Sequence, residues 1–211
     1  NKAELDELVD VLASSAGSYT SLNKLTKTFK SIKNKPLSDK TIKNYIDYLI
    51  DSFLISKAMR FDIKGKKYIG SPAKYYFEDV GLRNARLRFR QVEENHLMEN
   101  IIYNELRIRG YHVDVGIVEH YSANRGGKRE KKQLEVDFVA TMGSEKYYIQ
   151  SAFAMPTSDK IAQEQRSLLS ISDSFRKIIV VGSNQKVRRD ENGIATIGLQ
   201  NFLLDEDSLR L

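Results

Sequence analysis

Cysteine is absent from the 211 residues, which removes disulfides, zinc–thiolate centres and cysteine nucleophiles together. No apolar run reaches the length needed to span a bilayer, and the first residues, Asn1 to Glu7, are polar and acidic rather than basic and then apolar. No membrane partner is therefore expected, and a cytoplasmic location is. A Gly-x-x-x-x-Gly-Lys-Ser/Thr run is also missing, so these residues carry no phosphate cradle and are not expected to hydrolyse ATP. Histidine is scarce: His96, His112 and His120 are the only three, and Ser172-Asp173-Ser174 has no base that the sequence can pair with it. No hydrolase triad is read. The chain begins without Met and is read as a piece of a longer protein.

An apolar fraction of 41% and a charged fraction of 29% are those of an ordinary folded protein. The length suits one large domain or two small ones. The net charge of +6 is unevenly spread, since seven lysines (24, 27, 30, 33, 35, 40 and 43) stand between Leu22 and Tyr45 against the single acid Asp39. Further basic groups are Lys64, Lys66 and Lys67; Arg83, Arg86, Arg88 and Arg90; and Arg125, Lys128, Arg129, Lys131 and Lys132. Such clusters mark nucleic-acid surfaces, and as often mark solvated faces and loops.

The first part reads as helices followed by a hairpin. Leu5, Leu8, Val9 and Leu12 recur at helical spacing, and Gly17 stops the run. Leu22, Leu25, Phe29 and Ile32 form a second apolar face. After a break at Asn34-Lys35-Pro36, Ser38 caps a third helix that buries Ile42, Tyr45, Ile46, Leu49 and Ile50. Two strand-like runs follow, Phe53 to Ala58 and Lys67 to Ile69, joined by a turn over Asp62 to Lys66. Helix, turn, helix and basic-tipped hairpin is the order of a winged helix-turn-helix, expected over 1–90. In that motif the second helix of the pair enters the major groove. Lys40, Lys43 and Asn44 are then candidate groove residues, and Lys64, Lys66 and Lys67 the wing.

The character changes near Glu93. A strong helix carries Leu97, Ile101, Tyr103, Leu106 and Ile108 and ends at Gly110. Strand-like segments follow at His112 to Val118, Leu134 to Thr141, Tyr147 to Phe153 and Lys177 to Val181, with a helix from Lys160 to Ser170 before the last. An apolar strand reached through a helix predicts a parallel crossover, so 91–211 is expected to be an α/β domain with a mixed central sheet. Gly126-Gly127 reads as an exposed loop. Each tyrosine doublet, Tyr75-Tyr76 and Tyr147-Tyr148, is expected to put one ring in the core and one on the surface; stacking on bases is the alternative.

The order helix, strand, strand, strand, helix, strand, with Glu135-Val136-Asp137-Phe138 on one strand and Gln150-Ser151-Ala152 on the next, resembles the core of the PD-(D/E)XK nuclease superfamily. The run Tyr75 to Ala85, the helix bearing Glu99 and the Glu135 to Phe138 strand together resemble more closely the C-terminal region of a bacterial family of AAA+-type ATPases. In that family a domain of unknown function, DUF4143, follows the ATPase module. The resemblance runs from about Ser21 onward.

It implies a restriction-endonuclease-like domain behind a winged helix, with ATP bound by a preceding module and no cofactor in these residues themselves. In an active nuclease of the superfamily, an Asp and a Glu-x-Lys hold a divalent metal and a water. Asp137 stands at the first position, but Gln150 replaces the second carboxylate and Ala152 the lysine. Glu99 is the match for the helix acid, with Glu105 as a second. The site Glu99, Glu135, Asp137 and Gln150 is therefore read as degenerate. On strand alternation Glu135 and Asp137 share one face, as do Gln150 and Ala152. Mg²⁺ held by Glu99 and Asp137 remains the metal option, and a polar hydrogen-bonded patch is the alternative. Three functions stay open: a DNA-binding or specificity module of an ATPase, a docking module for a protein partner or a second copy, and a metal-dependent DNA endonuclease.

Overall fold

The computed structural model describes residues 2–33, 37–123 and 129–210. The Asn34-Lys35-Pro36 break and the Gly126-Gly127 loop, with Arg125 and Lys128, lie outside them. The chain forms a mixed α/β fold whose strands make one eight-stranded sheet, in the order 67–77, 55–62, 112–123, 129–142, 145–152, 176–181, 195–198 and 188–189. It divides into two compact units, 1–59 with 70–104, and 60–69 with 105–211.

The first unit is built on α1 (Lys2–Ser14), α2 (Leu22–Lys33) and α3 (Asp39–Asp51). Ser38 caps α3 as expected, its hydroxyl accepting the Thr41 N–H at 3.1 Å. Ile42, Ile46 and Leu49 of α3 meet Leu8 and Leu12 of α1 and Leu25 and Phe29 of α2 in one core. Full burial of each large side chain is worth about 1.5–3 kcal/mol. Here Tyr45 and Ile50 are only partly buried at its margin.

Two expectations fail at the hairpin. Phe53 is not a strand residue: β1 starts at Ile55 and runs Ile55–Asp62. The α3 terminus instead closes with Phe53 N–H on the Ile50 carbonyl (2.9 Å) and Leu54 N–H on the Leu49 carbonyl (3.0 Å), putting Phe53 at a φ of 56°. That bonding pattern is a helix end that usually employs glycine. The second strand is also longer than the short predicted run, since β2 extends over Lys67–Phe77 through Gly70-Ser71-Pro72. A short helix, α4 (Val80–Arg86), follows, capped by Asp79.

The first part of α5 (Glu94–Ile108) belongs to this unit and lies along β2. Buried Asn100 reads the Phe77 backbone from both sides, accepting its N–H at 3.0 Å and donating to its carbonyl at 2.8 Å. Asn104 donates to the Phe77 and Glu78 carbonyls. Tyr76 and Tyr103 stack at 4.1 Å between centroids.

In the second unit β3 (His112–Ala123), β4 (Arg129–Met142) and β5 (Glu145–Ala152) are antiparallel neighbours. After α6 (Ser158–Leu169), β6 (Arg176–Val181) pairs parallel with β5, the crossover that the sequence predicts. The short strands β7 (Arg188–Arg189) and β8 (Ala195–Gly198) and the helix α7 (Leu199–Leu204) complete the unit. The end of β1 joins this sheet too, with Arg60 to Asp62 parallel to Val115 to Ile117. Ile63 is packed into the core that Val136, Val139, Tyr148, Ala152, Leu168 and Ile179 form.

The tyrosine doublets correct another expectation: Tyr75, Tyr76, Tyr147 and Tyr148 are all buried. A strand covered on both faces has no solvent side for alternation to select. None of the four rings is presented for stacking on a base.

Candidate functional site

Glu99 lies in the first unit and Glu135, Asp137 and Gln150 in the second. The face of α5 that carries Asn100, Tyr103 and Asn104 also carries Glu99. Glu99 Oε1 accepts from Lys74 Nζ at 2.8 Å and from the Tyr76 hydroxyl at 2.6 Å. The two charged side chains are 5% (Lys74) and 13% (Glu99) exposed. Gly17, at a φ of 75°, passes so close that a Cβ there would stand 3.4 Å from the same oxygen. The Glu99 carboxylate is thus bound to β2 by an ammonium and a phenol. Glu105, the second candidate acid, is held by Arg109 at 2.8 Å. That guanidinium also donates to the Ser208 hydroxyl and covers the Phe202 ring, tying α5 to the C-terminal segment within the second unit.

The second unit treats its candidate residues differently. The β4–β5 ladder runs from Met142↔Glu145 to Phe138↔Ile149. Just beyond it, Asp137 Oδ2 accepts the Ser151 N–H at 2.7 Å, so a carboxylate substitutes for a strand carbonyl. The register of β3 against β4 slips between Asp114↔Val139 and Gly116↔Val136. One residue of β3 there, Val115, faces two of β4, Asp137 and Phe138, a β-bulge at Asp137. Strict alternation therefore does not hold across Val136 to Val139, both of which pack in one core. The pairing predicted for the next strand does hold: Gln150 accepts from Ser167 of α6 at 3.3 Å, and Ala152 lies in the core with Leu168 of α6.

A hard divalent cation needs several oxygen ligands, and this donor set does not fit one. Glu99 Oε1 already takes two donors, Asp137 is 7% exposed and bonded to the backbone, and Gln150 is neutral. Among the described residues no group of three or more His, Asp or Glu side chains could hold a metal ion. The histidines have structural partners: Glu93 for His96, Asp114 for His112 and Ser170 for His120. Asp173 is also committed, accepting from the Tyr148 hydroxyl at 2.6 Å; burial, and after it this bond, pushes that phenol far above its ordinary pKa.

The basic candidates divide between the units. On α3, Lys40, Lys43 and Asn44 are exposed, with Lys43 paired to Asp47 at 2.6 Å. Lys24, Lys27 and Lys30 are exposed on α2 of the same unit. Lys64, Lys66 and Lys67 are exposed at the hairpin turn, which belongs to the second unit. Members of the other basic clusters are engaged within the chain. Arg83, 2% exposed, donates to the carbonyls of Ala13 and Gln91. Arg86 reaches Asp6 and Asp10. Lys131 bonds Glu119, and that bond, with a second from Tyr121, holds the Glu119 carboxyl below its usual range.

These features define a mixed α/β protein of two units in which each candidate carboxylate is bound into its own surroundings. The chain belongs to the DUF4143 family, a domain of unknown function whose family model matches residues 94–202. A second domain of unknown function, DUF8612, matches residues 1–93. An uncharacterized protein of Haemophilus influenzae is 34% identical over 200 residues, 95% of this chain and 46% of that protein. An uncharacterized protein of Methanocaldococcus jannaschii is 28% identical over 187 residues, 89% of this chain and 38% of that protein. The chain thus spans less than half the length of these relatives. The crystal structure of protein VC1899 from Vibrio cholerae aligns over 98% of this chain and 55% of that one, at 17% identity and a TM-score of 0.35. Among the described residues no helix is long and apolar enough to cross a membrane.

Proposed function

We propose that this chain is a non-cleaving, DNA-contacting arm of a larger ATPase. The observation that carries the reading is the outer side of α3, where Lys40, Lys43 and Asn44 stand exposed while Ile42, Ile46 and Leu49 anchor the helix in the core. Exposed Lys24, Lys27 and Lys30 on α2 add positive charge in the same unit. A capped helix with one buried face and one basic face suits a winged-helix groove contact. The hairpin lysines Lys64, Lys66 and Lys67 would contribute as a wing. Degeneracy of a nuclease-like second domain is supported by Gln150 and Ala152 in place of Glu and Lys, and by the engagement of Asp137 with the Ser151 N–H. The ATPase context rests on the family resemblance and on relatives more than twice as long.

The test is fluorescence anisotropy with duplex DNA across a salt series. The Lys40→Ala/Lys43→Ala variant is expected to bind more weakly and to flatten the slope of log affinity against log salt by roughly one unit per lost phosphate contact. A Lys64→Ala/Lys66→Ala/Lys67→Ala variant, measured separately, reports the wing. Parent-like affinity and slope in both variants overturns the reading.

A docking role is favoured by Phe53, 80% exposed at a φ of 56° on the end of α3, near exposed Tyr48. A left-handed conformation costs a non-glycine residue about 1–2 kcal/mol, and the ring returns nothing to the core. Phe53→Gly is expected to raise unfolding free energy by about 1 kcal/mol in a urea titration. If docking to a second copy is its purpose, sedimentation will show the parent self-associating and the variant not.

A further inference from the structure

The parallel strands β5, β6 and β8 end together, and a cavity of about 550 Å³ opens beyond their carboxyl ends. This is the place where open α/β sheets bind ligands, and the volume is that of a small-molecule site. One wall is apolar: Phe153, Met155 and Pro156 follow β5, and Ile161 projects from α6. Phe153 and Ile161 each keep 37% of their surface exposed. The wall is held in place, because Gly182 N–H bonds the Phe153 carbonyl at 3.0 Å and a Cβ on Gly182 would stand 2.8 Å from the ring.

The opposite wall is polar. Arg188 of β7 lies opposite Thr196 of β8, which lines the cavity, whereas Arg189 lies opposite buried Ala195. Cross-strand neighbours share a face, so Arg188 stands on the Thr196 side; Arg189 lines the cavity as well, so two guanidiniums stand against one carboxylate. Asp190 is the acid of the lining, and neutral donors fix its orientation. Its Oδ1 accepts the Asn192 and Ile194 N–H groups, and its Oδ2 accepts Gln165 Nε2 at 2.7 Å. Among the described residues the Arg188 guanidinium has no hydrogen bond or ion pair, and Ser183 and Gln185 also line the cavity.

We infer that this cavity binds a nucleoside monophosphate group, with the base against the Phe153 and Ile161 wall and the phosphate on Arg188. A planar ring fits an aromatic wall, and a guanidinium in fork geometry suits phosphate. The group could be a free nucleotide or the 5′ end of a strand. The site is independent of the basic face of α3.

Calorimetry on the full chain tests this with adenosine 5′-monophosphate, adenosine and inorganic phosphate. A short oligothymidylate with and without a 5′-phosphate distinguishes the two sources. The monophosphate is expected to saturate one site, with adenosine and phosphate each at least about tenfold weaker. Arg188→Ala should weaken binding by about tenfold or more. Ile161→Glu, on the opposite wall, should do likewise, and Lys186→Ala should bind as the parent does. Arg188-dependent preference for the phosphorylated strand over its 5′-hydroxyl twin assigns a strand end; binding of the mononucleotide without that preference assigns a free nucleotide. Phosphate binding as well as the monophosphate, parent-like binding by Arg188→Ala, or no saturable binding of monophosphate or phosphorylated strand overturns the site. Lys40→Ala/Lys43→Ala should leave the mononucleotide titration unchanged, which separates this result from the fate of the α3 reading.

Discussion

Glu99 in the first unit and Asp137 in the second are both acids on largely buried elements, yet each is accommodated by a different kind of partner. Glu99 meets a full positive charge, Lys74, plus a phenol. Asp137 meets the backbone N–H of Ser151 at a bulge in the sheet. The contrast teaches that an acid at a catalytic-looking position need not be free for chemistry. A buried carboxylate must have its charge compensated, and donors that supply the compensation take up the lone pairs a metal would need. Two such routes, one ionic and one through the backbone, operate in the two units.

The largest expected effect is at the ionic member. Breaking a buried pair by removing one partner costs about 3–5 kcal/mol, whereas replacing both with apolar side chains is often close to neutral. Glu99→Ala is therefore expected to lower unfolding free energy by about 3–5 kcal/mol, and Lys74→Met/Glu99→Met by much less. Urea titrations of the two variants decide it. A loss below about 1 kcal/mol for Glu99→Ala would show a pair screened by solvent and contributing little, and would erase the contrast with Asp137.

Much of this was legible and some was not, for reasons that lie in particular residues. The helix α3 could be read because Ser38 supplies a cap oxygen and Ile42, Ile46 and Leu49 recur at its period. The crossover from β5 through α6 to β6 could be read because an apolar strand after a helix has few places to go. Lost to the reading were β7, β8, α4 and α7, none longer than seven residues, too short for periodicity to register. Alternation misjudged the tyrosine doublets because it assumes one wet face. It also assumes an unbroken pleat, and the bulge at Asp137 is a backbone event that no residue type announces. At the site, Gln150 and Ala152 revealed the missing chemistry directly, but the commitment of Glu99 to Lys74 required knowing that β2 extends past Pro72.

The middle effect belongs to the backbone-bonded member. Asp137→Ala deprives the Ser151 N–H of its acceptor at 2.7 Å, and a buried donor left unsatisfied costs about 1–3 kcal/mol. Asp137→Asn keeps a carbonyl oxygen there and is expected to lose less. Comparing both variants by thermal unfolding sharpens the distinction. Equal losses for Asn and Ala would mean that the charge of Asp137, rather than its acceptor oxygen, is what the bulge requires.

A third buried carboxylate tests the rule where compensation is weakest. Among the described residues Asp114, 5% exposed, meets neither a lysine nor a backbone N–H but the Tyr68 hydroxyl at 3.0 Å and His112 Nε2 at 3.3 Å. Burial raises its pKa above the ordinary carboxylate value, and the attraction of His112 and the bond from Tyr68 only partly oppose that rise. The sign of the pH effect follows from which state holds the proton. As pH climbs through the ordinary carboxylate range the unfolded chain releases its proton first, so stability falls until pH passes the raised folded value. Asp114 thus costs stability at neutral pH and nothing at pH values below both constants. Asp114→Asn, which keeps an acceptor for Tyr68, is expected to gain a little at neutral pH, under about 1 kcal/mol because two partners already offset part of the burial. The gain should vanish in acid. Denaturant titrations of parent and variant at neutral and acidic pH measure it. A variant that loses stability at neutral pH would show that Asp114 is compensated as fully as Glu99, and that a phenol and an imidazole suffice where the first unit employs a lysine.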